Sequence, residues 1–99
     1  MQIEFHDDKL HRLYVDVGFR DRRYESPVVK SCRKKVSLIQ AATDLNDLKA
    51  MRSLHLEKLK GNREDQYSIR LNDKWRLILK LREEPSGQTV VIVEIVDYH

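Results

Sequence analysis

Tyr67-Ser68-Ile69-Arg70-Leu71-Asn72-Asp73-Lys74-Trp75-Arg76-Leu77-Ile78-Leu79 carries the pattern on which the fold turns. Successive side chains of an extended chain point to opposite sides, so Tyr67, Ile69 and Leu71 share one face while Ser68 and Arg70 share the other. Asn72-Asp73 supplies a turn, because Asx side chains bond to nearby backbone and tolerate left-handed conformations. Trp75, Leu77, Leu79 and Leu81 then alternate with Arg76, Ile78, Lys80 and Arg82. A second strand follows, its apolar face meeting that of the first in a hairpin, with Arg70 and Arg76 aimed outward from the opposite face.

Downstream, Pro85-Ser86-Gly87 breaks the chain, and Thr89 to Val96 is dense in β-branched residues, as expected for a strand covered on both sides. Upstream the period changes. Leu10, Leu13, Tyr14 and Val17 fall at helical spacing, with Asp7 or Asp8 before them as cap and Gly18 after them as terminator, giving a helix of about ten residues. Residues 19 to 26, with Arg20, Arg22 and Arg23 beside Asp21 and Glu25, suit an exposed connector. Ser26-Pro27 restarts helix, serine as cap and proline in the first turn, and the helix runs to about Ala42 with Val29, Cys32, Val36 and Ile39 as its buried stripe. Thr43 or Asp44 caps a short helix bearing Leu45, Leu48 and Met51. At the N-terminus, Ile3 and Phe5 alternate with polar neighbours, so residues 2 to 6 read as a strand. The order β-α-α-(short α)-β-β-β implies an α+β fold, a small twisted sheet with helices across one face, in a single domain over residues 1–99.

The chain has 99 residues, 35% charged and 40% apolar, a polar but globular balance. Nineteen Lys and Arg against sixteen Asp and Glu give +3, and a pI near 9.1 fits a polyanionic partner. The single cysteine, Cys32, excludes an intramolecular disulfide and a cysteine-rich zinc site, and its helical spacing reads as a small buried residue. His6, His11, His55 and His99 lack the i, i+4 spacing of a metal pair, so neither metal nor cofactor is expected. No apolar run approaches the roughly 20 residues of a bilayer span, and the N-terminus lacks a signal peptide's regions. The expectation is a soluble, cytoplasmic protein.

The blocks Leu59-Lys60-Gly61-Asn62-Arg63-Glu64, Tyr67-Ser68-Ile69-Arg70, Asn72-Asp73-Lys74-Trp75-Arg76 and Val96-Asp97-Tyr98-His99 resemble the HigB (host inhibition of growth, or plasmid maintenance killer) toxins of the RelE/ParE superfamily. The resemblance follows the order of elements over nearly the whole chain and is most specific over residues 54 to 99. It implies a small RelE-like domain with a mostly antiparallel sheet. It also implies a ribosome-dependent mRNA endonuclease of a toxin-antitoxin system, acting at the ribosomal A site and neutralised by a HigA-like helix-turn-helix antitoxin. By the same resemblance, Lys60, Arg76 and His99 occupy the positions tied to cleavage. The chain departs from the pattern at Asp65, where many members have glycine. His55 stands out of register with the family's histidine before the lysine block, and Glu57 lies nearer that position. The segment Glu83 to Gln88 lengthens the loop between the last two strands.

Metal-free RNA cleavage by the ribose 2′-hydroxyl needs a base for that hydroxyl, an acid for the leaving 5′-oxygen and cations for the phosphorane charge. His99 suits acid or base work, since an unperturbed imidazole titrates near pH 6.5. Arg76 offers a planar guanidinium for two phosphate oxygens, and Lys60 beside Gly61 a compact charge on a turn. Lys58, Arg63 and Arg70 read as phosphate-positioning groups, and Tyr98 as a base-stacking ring or a packed strand-end tyrosine. His55 and Glu57 are the remaining candidates for the base, each equally readable as a solvated side chain. Arg20, Arg22 and Arg23, with Lys30, Arg33, Lys34 and Lys35, form a basic surface for ribosomal RNA or for an acidic antitoxin. The rival readings are a ParE-like gyrase inhibitor and a non-catalytic binding module on the same scaffold.

Overall fold

The computed structural model describes residues 1–61 and 65–97. Strand β1 (Gln2–Phe5) leads into helices α1 (Asp8–Val15), α2 (Ser26–Ala41) and α3 (Leu45–Ala50), then a short 3-10 helix (Arg52–Leu54). Four strands follow: β2 (Glu57–Lys58), β3 (Gln66–Arg70), β4 (Trp75–Glu84) and β5 (Gly87–Asp97). They form one sheet in the order β1-β5-β4-β3-β2, antiparallel except for β1 alongside β5. The α+β arrangement is as expected from the sequence. The 3-10 helix and the two-residue β2 are additions, too short to leave a periodic trace.

Helix ends follow local chemistry. The Asp7 carboxylate accepts from the Lys9 N–H at 2.7 Å, and α1 stops at Val15, so Val17 is 76% exposed instead of extending the apolar stripe. The C-terminal carbonyls of α1 are met by Arg33, whose Nε donates to the Leu13 carbonyl at 2.6 Å and Nη2 to that of Asp16 at 3.2 Å. A cation there complements the helix dipole. Glu25, and not Ser26, is the N-cap of α2 and makes no side-chain cap bond. Proline in the first turn supplies the start, since its missing N–H would have had no helical partner. At α3 the Asp44 carboxylate accepts from the Asp47 N–H (3.2 Å) while Asp47 accepts from the Thr43 N–H (2.8 Å), a reciprocal cap.

The core lies between the helices and one sheet face. From α2 come Val28, Cys32, Val36 and Ile39; Val28 takes the buried position and Val29 is only half-buried. From the sheet come Ile69, Leu77, Leu79, Val90, Ile92 and Ile95. Each such side chain stabilises the fold by about 1.5–3 kcal/mol on burial. Burial also pushes the Cys32 thiol up to about 11. We therefore expect Cys32 to resist alkylation by iodoacetamide at pH 8 in the native protein and to react once urea unfolds it; rapid native labelling would contradict this packing.

Ile92 and Ile95 are three residues apart, so a regular strand would point them to opposite faces. A bulge resolves this: the register steps from Ile78 opposite Glu94 to Leu79 opposite Ile92. The extra residue in β5 lets both isoleucines reach the core. The β-branched density of β5 thus reflects a central strand with a bulge, helices covering one face and the other only partly buried at Val91, Val93 and Val96. Residues 83–88 do not form a longer loop: β4 and β5 remain paired out to Glu84 opposite Gly87, around the two-residue turn Pro85-Ser86.

Candidate active site

The sheet face turned away from the helices carries Ser68 and Arg70 from β3, opposite Ile78 and Arg76 of β4, with Glu57 of β2 opposite Ser68. β3 is held in place by the inward Ile69, fully buried, and by the Asn72 turn, whose side-chain oxygen accepts from the Lys74 and Trp75 N–H groups at 2.9 and 2.8 Å. Ile78 is 3% exposed on this outer face, outside the main core.

Arg76 lies opposite Trp75 as alternation requires, but it does not project into solvent: it is 6% exposed. Its Nε donates to the Ser68 hydroxyl at 2.9 Å, and its Nη2 donates to the carbonyls of His55 at 2.5 Å and Ser68 at 3.2 Å. Its Nη1 is 3.9 Å from the Glu57 carboxylate, which is half exposed. An outward phosphate fork is therefore replaced by a clamped guanidinium. A buried charge needs such partners, because an uncompensated one costs several kcal/mol. The clamp joins β4 to β3 and to the backbone just before β2. At His55 the backbone is left-handed (φ 47°), a conformation that a non-glycine residue adopts uncommonly. His55 thus contributes its carbonyl to the arrangement, and its imidazole is exposed. The sequence held no signal for Ser68, since a serine on an outer strand face reads as solvated polar surface.

Lys58 lies on β2 opposite Tyr67, and Lys60 follows on the β2–β3 connection; both are exposed. Gly61 has φ +75°, which glycine adopts without steric cost. Arg70 is half exposed and paired with Asp73. Arg63, Tyr98 and His99 lie outside the described residues. At the end of β5, Asp97 pairs in register with Trp75 and lies 3.6 Å from the Lys74 ammonium.

Two of the basic residues assigned to an outer docking surface are engaged elsewhere. Arg33 caps α1, and the Lys35 ammonium donates to the Arg70 carbonyl. Burial lowers the Lys35 pKa, with the nearby Arg70 charge adding to the effect. Among the described residues no cluster of three metal-ligating side chains exists, and no helix is long and apolar enough to cross a membrane.

Residues 3–99 match the family model described as the RelE-like toxin of the type II toxin-antitoxin system HigB. The chain belongs to the HigB-like toxins. Among its relatives, Toxin HigB-1 of Vibrio cholerae is 32% identical over 80 residues, covering 81% of this chain and 83% of that protein. An uncharacterized protein of Haemophilus influenzae is 36% identical over 76 residues, covering 77% and 74%. The YoeB/ParE toxin from Agrobacterium tumefaciens superimposes over the full length of both chains with a TM-score of 0.59 at 14% identity, a likeness of fold alone. This HigB-like chain is accordingly a type II toxin with a small RelE/YoeB-like α+β fold, and such a toxin implies a cognate antitoxin as partner.

Proposed function

We propose that this HigB-like toxin is a ribosome-dependent endoribonuclease that cuts translated mRNA by metal-independent attack of a ribose 2′-hydroxyl on the adjacent phosphate. The observation that carries this reading is the guanidinium of Arg76, bonded to Ser68 and to the His55 carbonyl, with the Glu57 carboxylate 3.9 Å away. A charge fixed before substrate arrives loses no reorganisation energy when the phosphorane forms, which is how preorganised groups favour a transition state.

In this reading a carboxylate or imidazole base takes the 2′-hydroxyl proton, the oxygen attacks phosphorus, and the 5′-oxygen departs with a proton from His99. The ends formed are a 2′,3′-cyclic phosphate and a 5′-hydroxyl. Of the two candidates for the base, geometry favours Glu57, whose carboxylate neighbours Arg76, over His55, which offers its backbone carbonyl. Lys60 neutralises the scissile phosphate from its exposed turn, and Arg76 stabilises the developing charge from below. Lys58, Arg63 and Arg70 position the mRNA backbone, and Tyr98 stacks on a base. The partners are the ribosomal A site with its RNA, the mRNA and a HigA-like helix-turn-helix antitoxin; the reaction takes place in the cytoplasm.

The test is cleavage of a reporter mRNA on translating ribosomes, with the cut ends identified chemically. Cyclic-phosphate ends are expected, and Lys60→Ala should slow cleavage about 10²- to 10³-fold, as loss of one charge-stabilising group does. Unfolding should be unchanged, since Lys60 is exposed. Intact mRNA together with inhibited DNA gyrase would replace this reading by the ParE-like one.

A further inference from the structure

A groove of about 380 Å³ opens between the α1–α2 connector and the first turns of α2, and neither Arg76 nor Lys60 lines it. Val17, Phe19 and Val29 line it, and Arg20 and Lys30 stand at its rim. We propose that this groove docks an acidic, aliphatic peptide segment of a partner protein.

Three observations commit the site to that occupant. First, Val17 is 76% exposed, and burying an aliphatic side chain against it is favourable at about 25 cal/mol per Å². Second, the charge left at the rim is positive. Asp21, the acid in the lining, is neutralised by Arg23 at 2.7 Å, which holds its carboxyl below the usual range. Arg33 is committed to the carbonyls of α1, whereas Arg20 and Lys30 make no ion pair with any described residue. Third, the groove's aromatic side is already occupied. The Tyr24 ring meets Trp75 edge-on at 5.4 Å, and the Arg23 guanidinium lies 5.1 Å from its centroid. The other lining ring, Phe19, carries the Arg12 guanidinium at 4.3 Å from its centroid. A nucleic acid would find two cations there, but it has no use for Val17. The volume is at the lower end of ligand clefts, roughly 300–1,000 Å³, so it takes a few side chains of an extended segment.

Trp75 is the single tryptophan of the chain, and its contact with Tyr24 makes it a reporter for the groove. The probe is a blocked peptide of alternating glutamate and leucine, titrated against the full chain while Trp75 fluorescence is followed. A lysine–leucine peptide and a short single-stranded RNA serve as comparisons. Saturable binding of the acidic peptide is expected, weakened about tenfold, or 1.4 kcal/mol, by Val17→Asp and by Lys30→Glu, with circular dichroism unchanged. Absence of saturable binding, or equal binding of the lysine–leucine peptide, overturns the proposal. So does RNA binding that Lys30→Glu abolishes and Val17→Asp leaves intact, which would make the groove a phosphate dock. The readout involves no cleavage, so its outcome is separate from that of the nuclease reading.

Discussion

Arg76→Ala is expected to cost both stability and activity, and more of each than any exposed arginine of the sheet. Arg76 is 6% exposed, and its guanidinium bonds the Ser68 hydroxyl and the His55 carbonyl. Truncation leaves those groups without that partner and opens a void beside them. Each orphaned buried polar group costs about 1–3 kcal/mol, so a loss of roughly 3 kcal/mol is expected, a large part of the 5–15 kcal/mol that holds a domain folded. Urea unfolding measures it as a lower midpoint. Arg76→Lys keeps the charge but not the planar fork, since one ammonium cannot occupy the positions of both Nε and Nη2. It should recover part of the stability and little of the cleavage. A wild-type midpoint in Arg76→Ala would mean that the clamp contributes nothing to folding, and near-normal cleavage in Arg76→Lys would reduce the role of Arg76 to bare charge.

Deleting His99 should abolish cleavage while leaving the unfolding transition where it was. The described part of β5 ends at Asp97, in register with Trp75 and 3.6 Å from the Lys74 ammonium, and the pairing of β5 with β4 runs upstream from there to Gly87. A positioned general acid contributes about 10²–10⁴ in rate, so losing it takes ribosome-dependent cutting to background. Two companion measurements give the result its meaning: a thermal melt, and binding of the antitoxin. Loss of folding or of antitoxin binding would show that the residue serves structure, and persistent cleavage would move the acid to another group.

The hairpin of β3 and β4 was legible because strict alternation of Ile69, Leu77 and Leu79 against Ser68, Arg70 and Lys80 admits one solution, and so were the helices, from Val36 and Ile39 at helical spacing. What escaped had physical reasons. α1 ends early at Val15, and nothing in the spacing of Val17 distinguishes the last helical turn from an exposed connector. The bulge in β5 erases its alternation, so Ile92 and Ile95 on one face looked like burial on two. At the candidate site, alternation gave the side of the sheet on which Arg76 lies but not its depth. Depth depends on Ser68 and on a backbone carbonyl at His55, and a carbonyl is the same at every residue. The placement of Arg70 followed from the strand pattern, whereas the short β2 that carries Lys58 left no such trace, and the engagement of Arg33 with α1 and of Lys35 with the Arg70 carbonyl joins residues far apart in the chain.

The paired tip of β4 and β5 also sets a parity rule. Because β4 and β5 stay in register out to Glu84 and Gly87 around a two-residue turn, the hairpin can grow or shrink by matched pairs, one residue per strand, without turning a single core side chain. While the turn keeps two residues, an odd change would invert every residue beyond it unless a second bulge absorbed it, as the extra residue of β5 between Ile92 and Glu94 does for Ile92 and Ile95. Length variation at this end of the molecule is therefore expected in steps of two, leaving Arg76 and the end of β5 in phase.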